Sequence, residues 1–232
     1  MTLLLSLLMS EDRAALLSAG RARRFPRGAW LMSQGDTTDT VLVVVRGRVK
    51  ISTVTEEGAD IVCAVHGPGS IIGHFEAIDP DGLGRTASVI ALQPVDCHVV
   101  GGADFREFLY ERPAAALAML RAMVRDERAA DRRRADIASG DVTRHLARFL
   151  LEQVELNQDS NGDDVGIGLS QAELAGVVSA SRAAVVRGLS ALRRQGAVTT
   201  SPRRIIVADL DALRDAAGVD LEGRRRRDVR SN

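Results

Sequence analysis

Residues 169–207 read LSQAELAGVVSASRAAVVRGLSALRRQGAVTTSPRRIIV, and they carry the clearest structural pattern in the chain. We predict two helices, at residues 170–178 and 181–195, with a tight turn between them. Ser170 and Glu173 form the S-x-x-E pattern of a capping box, which predicts that the first helix begins there. Two short strand-like runs then flank a turn that contains Pro202, and they predict a β-hairpin. The order of helix, turn, helix and hairpin is that of a winged helix-turn-helix.

The second helix of such a motif lies in the major groove of DNA and presents its N-terminal residues to the edges of base pairs. Arg182 and Arg187 lie towards that end, and arginine suits bidentate contact with guanine. Polar residues at the start of the first helix and arginines in the hairpin suit phosphate contact. The alternative is that these charges only form the solvated face of a helical pair. We predict DNA contacts at Ser170, Gln171, Ser181, Arg182, Ala183, Arg187, Arg203 and Arg204.

The distribution of charge supports this prediction, although the formal net charge is zero. Residues 168–208 contain six arginines and a single acid, Glu173. Residues 1–110 contain ten basic and thirteen acidic side chains. A basic segment on an otherwise acidic chain favours attraction to the phosphates of nucleic acid at one end of the chain only.

The N-terminal half has a different pattern, in which short strand-like runs separated by turn residues fill residues 29–101. This spacing predicts an all-β sandwich or barrel. Residues 114–138 then lack Gly and Pro and are rich in Ala, Leu, Met and Arg, which predicts a helix of roughly 35–40 Å.

The first half of that helix carries an apolar stripe, formed by Ala116, Leu117, Met119, Leu120, Met123 and Val124. Such a stripe can pair with a second copy of the helix or pack on the chain's own β domain. A helix of this length has faces for both contacts. We therefore predict a homodimer through residues 114–138.

Further motifs follow along the chain in a consistent order. They are Phe25-Pro26-Arg27-Gly28, Gln34-Gly35-Asp36, Arg46-Gly47, Gly67-Pro68-Gly69-Ser70-Ile71-Ile72-Gly73, Arg85-Thr86-Ala87 and Asp141-Val142-Thr143-Arg144. Together with the helix-turn-helix they resemble the CRP/FNR family of bacterial transcriptional regulators over residues 20–217. The resemblance implies an α+β fold. Its parts are a jelly-roll-like β-roll effector domain at 1–112, a long dimerisation helix at 113–139 and a winged helix-turn-helix domain at 140–219. Beyond the resemblance, the run of four arginines at 224–227 predicts a basic disordered tail at 220–232, and the alternative is an arm that contacts phosphate.

The resemblance also implies a cytoplasmic homodimer that binds double-stranded DNA at a palindromic operator, with half-sites about one helical turn apart. Contact with RNA polymerase is implied in the same way. The family usually has Glu after the arginine that opens the second helix, whereas this chain has Ala183. One base preference is therefore expected to differ from the common half-site of the family.

The β-roll of this family often binds cyclic AMP. The resemblance therefore implies an effector site at Ile72, Gly73, His74, Phe75, Glu76, Arg85 and Thr86. A helix start beside an arginine suits a phosphate. His74 replaces the Glu that holds the ribose hydroxyl in the family, and a neutral imidazole accepts through one nitrogen only. Glu76 is the candidate substitute, while Ala130 and Asp131 lack the hydroxyls that the family sets against adenine. Cyclic AMP, another nucleotide and a degenerate pocket in a constitutive regulator all stay open.

Other classes of function find little support in the sequence. Cys63 and Cys97 form no C-x-x-C, which argues against a metal site or a disulfide framework. The four histidines show no catalytic spacing, so we predict that the chain is not an enzyme. The apolar run at 3–9 is too short to span a membrane, and we predict an amphipathic helix that packs on the body, with no membrane partner. A signalling module whose main partner is a protein is the remaining alternative.

Overall fold

The computed structural model of the chain describes residues 4–80, 82, 84–156, 169–201 and 204–219. Arg203 and the basic tail at 220–232, both singled out above, lie outside the described residues. The chain divides into two compact units, Met1–Ala130 and Asp131–Asn232. None of the helices in the described ranges combines the length and the apolarity that crossing a membrane requires.

The first unit is a β-roll with helices before and after its strands and one short helix between β6 and β7. The strands are β1 Arg21–Phe25, β2 Trp30–Met32, β3 Val41–Arg46, β4 Val49–Val54, β5 Asp60–His66, β6 Ile71–Ile72, β7 Ser88–Ala91 and β8 Val95–Val100. The helices are α1 Leu4–Leu7, α2 Ser10–Ser18, α3 His74–Ile78 and α4 Gly102–Glu111, followed by the long helix α5 Pro113–Ser139. The strands form two antiparallel four-stranded sheets, in the orders β1-β8-β3-β6 and β2-β7-β4-β5.

Strand β3 lies at the centre of the β-roll and is buried on both faces. Side chains alternate along a strand, so its unbroken apolar run serves two layers. Val41 and Val43 pack with Phe105 of α4 in the cluster that includes the helices. Leu42 and Val44 belong to the second cluster, which includes residues of both sheets. Strand β6 pairs with β3 and leads directly into the predicted effector site.

Helix α5 is 27 residues long and confirms the prediction of a long helix. One face packs on the β-roll of its own chain, through Ala115, Ala118, Met119 and Ala122. Another face exposes Leu117, Leu120 and Val124, with 47%, 58% and 51% of their surface accessible. These three residues are three and four positions apart, so they form one continuous apolar stripe. The stripe predicted for a second copy is therefore split between the two faces.

The second unit holds the helix-turn-helix and its hairpin. Its elements are α6 Val142–Glu155, α7 Gln171–Val177, α8 Arg182–Arg194, β9 Val198–Ser201, β10 Arg204–Val207 and α9 Leu210–Ala216. The capping box is present: Ser170 Oγ accepts from the Glu173 amide at 3.2 Å, and the Glu173 carboxylate accepts from the Ser170 amide at 2.9 Å. The turn before α8 passes through Ser179 at φ +49°, which is the one non-glycine residue of positive φ in the described part of the chain.

Two details differ from the sequence prediction. The strands were expected to begin at residue 29, but β1 lies earlier, at Arg21–Phe25. This outer strand has four exposed residues out of five, so its sequence lacks the alternation that marks a half-buried strand. The apolar start forms the short helix α1, which does pack on the β-roll through Leu5 and Leu7, and a separate helix α2 follows.

Candidate functional site

The predicted effector site lies where β6 ends and α3 begins. Gly73 joins the two elements at φ +82°, a conformation that glycine adopts without strain. A Cβ atom at this position would lie 2.5 Å from Nη1 of Arg85 and 2.7 Å from the carbonyl oxygen of Thr40. Only a glycine therefore permits the close approach of Arg85 to the start of α3.

Arg85 is buried, with 3% of its surface exposed, and protein groups hold both of its terminal nitrogens. Nη1 donates to Glu76 Oε2 at 2.8 Å and to the Gly73 carbonyl at 3.2 Å. Nη2 donates to the Thr40 carbonyl at 2.6 Å, with the hydroxyls of Thr40 and Thr38 at 3.3 and 3.5 Å. Nε is buried and has no hydrogen-bond partner among the residues that the structure describes. Four of the five guanidinium N–H groups are thus engaged, and one is left for another acceptor.

The backbone of Arg85 is fixed from the opposite side by the turn at residues 33–36. The Gly35 amide donates to the Arg85 carbonyl, and the Arg85 amide donates to the Asp36 carbonyl, both at 2.8 Å. The side chain of Gln34 extends this connection to β4, since its Oε1 accepts from the Val54 amide at 2.7 Å and its Nε2 donates to the Val54 carbonyl at 3.2 Å. The motif Gln34-Gly35-Asp36 therefore positions the predicted effector site.

The other predicted effector residues have different environments. Ile72 is buried in the cluster that includes both sheets, so its side chain serves the core. Phe75 is 59% exposed, with its ring centroid 4.4 Å from that of His74, and Thr86 is exposed. Burial lowers the pKa of His74 below its ordinary 6.5, against the opposing effects of Ile71, Glu76 and Asp126. His74 is therefore neutral at pH 7 and adds no positive charge to the site.

The predicted DNA-contacting serines both act as helix caps. Ser170 caps α7, and Ser181 Oγ accepts from the Ala184 amide at 3.2 Å at the start of α8. Each cap fixes the direction in which its helix begins. The same arrangement brings two predicted residues together, since Arg182 Nε donates to Gln171 Oε1 at 3.5 Å.

Three basic side chains of this unit, Arg182, Arg193 and Arg204, line a concave surface between α7, α8 and the hairpin. Arg182, Arg187 and Arg204 are exposed, as a contact with DNA requires. The concave surface is lined in part by Gln171, Arg182, Val186, Arg193, Thr200 and Arg204. Arg193 was not predicted as a site residue; it donates to Ser190 Oγ at 3.0 Å and to Thr200 Oγ1 at 3.3 Å, which connects α8 to the hairpin.

Two residues at the predicted effector site were also missed. Thr38 and Thr40 lie in the segment before β3. They supply three of the acceptors for the Arg85 guanidinium. They lie 47 and 45 positions away in the sequence, and nothing local in the sequence marks them as partners of an arginine.

Comparison with known proteins identifies a family for each part of the chain. A family model of the cyclic nucleotide-binding domain matches residues 22–112, and a model of the Crp-like helix-turn-helix domain matches residues 144–216. The chain is 26% identical over 202 residues to the CRP-like cAMP-activated global transcriptional regulator of Mycobacterium tuberculosis, which covers 86% of this chain and 89% of that protein.

Solved structures show the same fold. The catabolite activator protein of Thermus thermophilus is 25% identical with a TM-score of 0.52, and the match covers 94% of this chain and 99% of that one. The c-di-GMP responsive regulator CLP of Xanthomonas campestris is similar in fold alone, at 19% identity and a TM-score of 0.64, over 87% and 100% of the two chains. The matched relatives are regulators, which confirms the prediction that this chain is not an enzyme. The chain belongs to the CRP/FNR family of DNA-binding transcriptional regulators, with a cyclic nucleotide-binding domain ahead of a Crp-like helix-turn-helix domain.

Proposed function

We propose that this protein is a homodimeric regulator that inserts α8 into the major groove at each half of a two-fold symmetric operator, under the control of an anionic nucleotide bound at Arg85. The observation that carries the effector part is the ion pair between Arg85 and Glu76 at the start of α3. Family membership supports the DNA-binding part. A cytoplasmic location and contact with RNA polymerase belong to the same proposal and have family membership as their support.

The chemistry of the effector site favours a phosphate-bearing ligand that competes with Glu76. A buried guanidinium at a helix start attracts an anion, and Glu76 supplies one from within the protein. A cyclic phosphate that takes the place of this carboxylate restores the charge balance of Arg85. The Nε–H of Arg85, which has no acceptor among the described residues, is an additional donor for it. The displaced Glu76 then becomes a charged acceptor for a ribose hydroxyl. The neutral imidazole of His74 can accept a hydrogen bond from that hydroxyl only without charge.

A constitutive regulator with a degenerate pocket is the second candidate, and one observation favours it. Both terminal nitrogens of Arg85 already have protein acceptors, so the site is stable without a ligand. Under this alternative, DNA affinity is the same with and without nucleotides.

In the second unit, Arg182 and Arg187 are proposed to contact base edges, and Arg204 to contact phosphate. Ser170 and Ser181 are proposed to act mainly by capping, which leaves the amides at the helix starts to approach the DNA backbone. Gln171 is proposed to position Arg182, since its Oε1 accepts from Nε.

Fluorescence anisotropy on an operator selected in vitro from random double-stranded DNA tests both parts of the proposal. The full-length protein is titrated alone and with saturating cyclic AMP, cyclic GMP or cyclic di-GMP; the last is included because the similar Xanthomonas regulator is c-di-GMP responsive. We expect one nucleotide to raise operator affinity, and Arg182→Ala to lower it by about 1–3 kcal/mol. Arg24→Ala, an exposed change in β1, is the matched control. Equal affinity under all conditions supports the constitutive alternative instead.

A further inference from the structure

The first two turns of α8 expose four residues, Arg182, Ala183, Val186 and Arg187. Val186 is an apolar side chain that keeps 40% of its surface exposed. At 100° per residue the four span an arc of about 140°, with the two arginines at its edges. Ala183 and Val186 therefore lie between the two arginines, at the centre of the surface that α8 presents.

The orientation of this arc is fixed by the packing of the opposite face. Val185, Gly188, Leu189 and Leu192 are buried in the second unit. A Cβ atom on Gly188 would lie 2.7 Å from Cδ1 of Leu146 in α6, so the two helices are in close contact there. Because α8 cannot rotate without losing this contact, the same apolar centre faces outward in every complex that α8 makes.

The chemistry of the arc matches one base pair in particular. The sequence of α8, RAAVVRGLSALRR, contains no carboxylate, so this helix offers no acceptor of the kind that reads the N4 amino group of cytosine. Methyl groups contact the C5 methyl of thymine, which is the apolar group that the major groove displays. Arginines at the two edges suit guanine.

We infer that Ala183 and Val186 read a T·A pair through the C5 methyl of thymine, between the bases contacted by Arg182 and Arg187. The inference rests on the proposed docking of α8 in the major groove. Ala183 and Val186 then supply the part of operator specificity that does not come from charged side chains.

Deoxyuridine substitution tests the inference, because deoxyuridine pairs like thymidine and lacks only the methyl group. Each thymidine of the selected operator is replaced singly, and the dissociation constant of the full-length wild-type protein is measured at one fixed salt concentration. We expect one position in each half-site at which affinity falls by about three- to fivefold, the effect of one lost methyl contact. Replacement of thymidines outside the half-sites is the control and is expected to change nothing.

Variants of the helix provide an independent arm. Val186→Ser is expected to reduce the difference in affinity between the thymidine and deoxyuridine operators, because only the methyl group of Ala183 then remains for the contact. Ala183→Glu is expected to shift the preference at that position from T·A to C·G. If deoxyuridine is neutral at every position for the wild-type protein, the inference is wrong, whatever the variants do. A wild-type protein that selects no sequence at all contradicts the docking of α8 itself, and this result is distinguishable from specific binding that ignores the methyl group.

Discussion

Oε2 of Glu76 lies 2.8 Å from Nη1 of Arg85, in an ion pair whose side chains are only 14% and 2% exposed. The two residues lie nine positions apart and meet because Gly73 lets the guanidinium reach the start of α3. Under the proposed function, the carboxylate occupies the position at which an anionic effector is neutralised. An effector of this site has to compete with a group that belongs to the protein.

Removal of Arg85 is expected to destabilise the β-roll strongly. Arg85→Ala leaves the Glu76 carboxylate without its cation, and we expect a loss of about 3 kcal/mol in the free energy of unfolding. This value is at the lower end of the range for a broken buried ion pair, because Glu76 keeps some contact with water. Trp30 in β2 is the single tryptophan of the chain, so its fluorescence during urea unfolding reports on the β-roll. Glu76→Gln is the comparison and should lose less, because Arg85 keeps the carbonyls of Thr40 and Gly73. A loss below about 1 kcal/mol for Arg85→Ala would be inconsistent with a buried pair.

The lowered pKa of His74 predicts that the stability of the folded protein depends on pH. Burial lowers the pKa of its imidazole in the folded protein, so the unfolded chain takes up a proton first as the pH falls. The stabilising contribution of the neutral ring is present above the unfolded pKa of 6.5 and is lost as the pH falls towards the lower folded value. Urea midpoints from Trp30 fluorescence should fall between about pH 7.5 and pH 5.5, and by less in His74→Gln. The same fall in both proteins would assign the pH dependence to other groups.

Ser179 and Gly196 form a matched pair of backbone tests in the second unit. Ser179 has φ +49°, which costs a non-glycine residue about 1–2 kcal/mol, partly offset by the greater freedom of glycine in the unfolded chain. Ser179→Gly should therefore stabilise the unit by about 0.5–1 kcal/mol. Gly196 has φ +74° with open space around it, so Gly196→Ala should destabilise the unit by about 1 kcal/mol through backbone strain alone. Chemical unfolding followed by far-ultraviolet circular dichroism checks both, and a change of the same sign in the two variants would speak against backbone strain as the cause.

Leu120 tests the dimer. It is 58% exposed at the centre of the stripe with Leu117 and Val124, so Leu120→Glu places a charge in the proposed seam without disturbing the packed face of α5. We expect the dimer dissociation constant to rise at least about tenfold, as measured by analytical ultracentrifugation. Tyr110→Glu, at 84% exposure on α4, is the control and should leave the dimer intact. Equal dissociation of both variants would show that any added negative charge is enough to separate the dimer. The dimer interface would then have to lie away from the stripe of Leu117, Leu120 and Val124.

The local patterns of the sequence predict much of this architecture. The helix-turn-helix follows from two helical runs with a tight turn between them and from a capping box, which the structure contains at Ser170 and Glu173. The long helix follows from a run without Gly or Pro. Strand β1 could not be predicted in this way, because an exposed outer strand with Arg21, Arg23 and Arg24 carries no alternating pattern.

The details of the effector site depend on contacts between distant parts of the chain. The sequence predicts Gly73 and Arg85 as a pair through family resemblance, but the acceptors on Thr40 come from another segment. The sequence offers Glu76 only as a candidate ribose contact, and its ion pair with Arg85 depends on the φ +82° turn at Gly73, which residue types alone do not determine. Ile72 lies in the predicted site, but its side chain belongs to the core. The register in which β6 pairs with β3 determines the face of the sheet on which this side chain lies, and the local sequence does not determine that register.

Calorimetric titration of wild type and Glu76→Gln with cyclic AMP tests the central claim, that Glu76 holds the anion position at Arg85. Glutamine keeps a hydrogen-bond acceptor for a ribose hydroxyl but removes the competing charge. We therefore predict that Glu76→Gln binds cyclic AMP about tenfold more tightly than the wild-type protein or better. Weaker binding by Glu76→Gln would contradict the claim, because the carboxylate would then be a required contact of the nucleotide and not its competitor. Absence of binding by both proteins would contradict it too for cyclic AMP, and would leave another nucleotide or a constitutive regulator as the supported function.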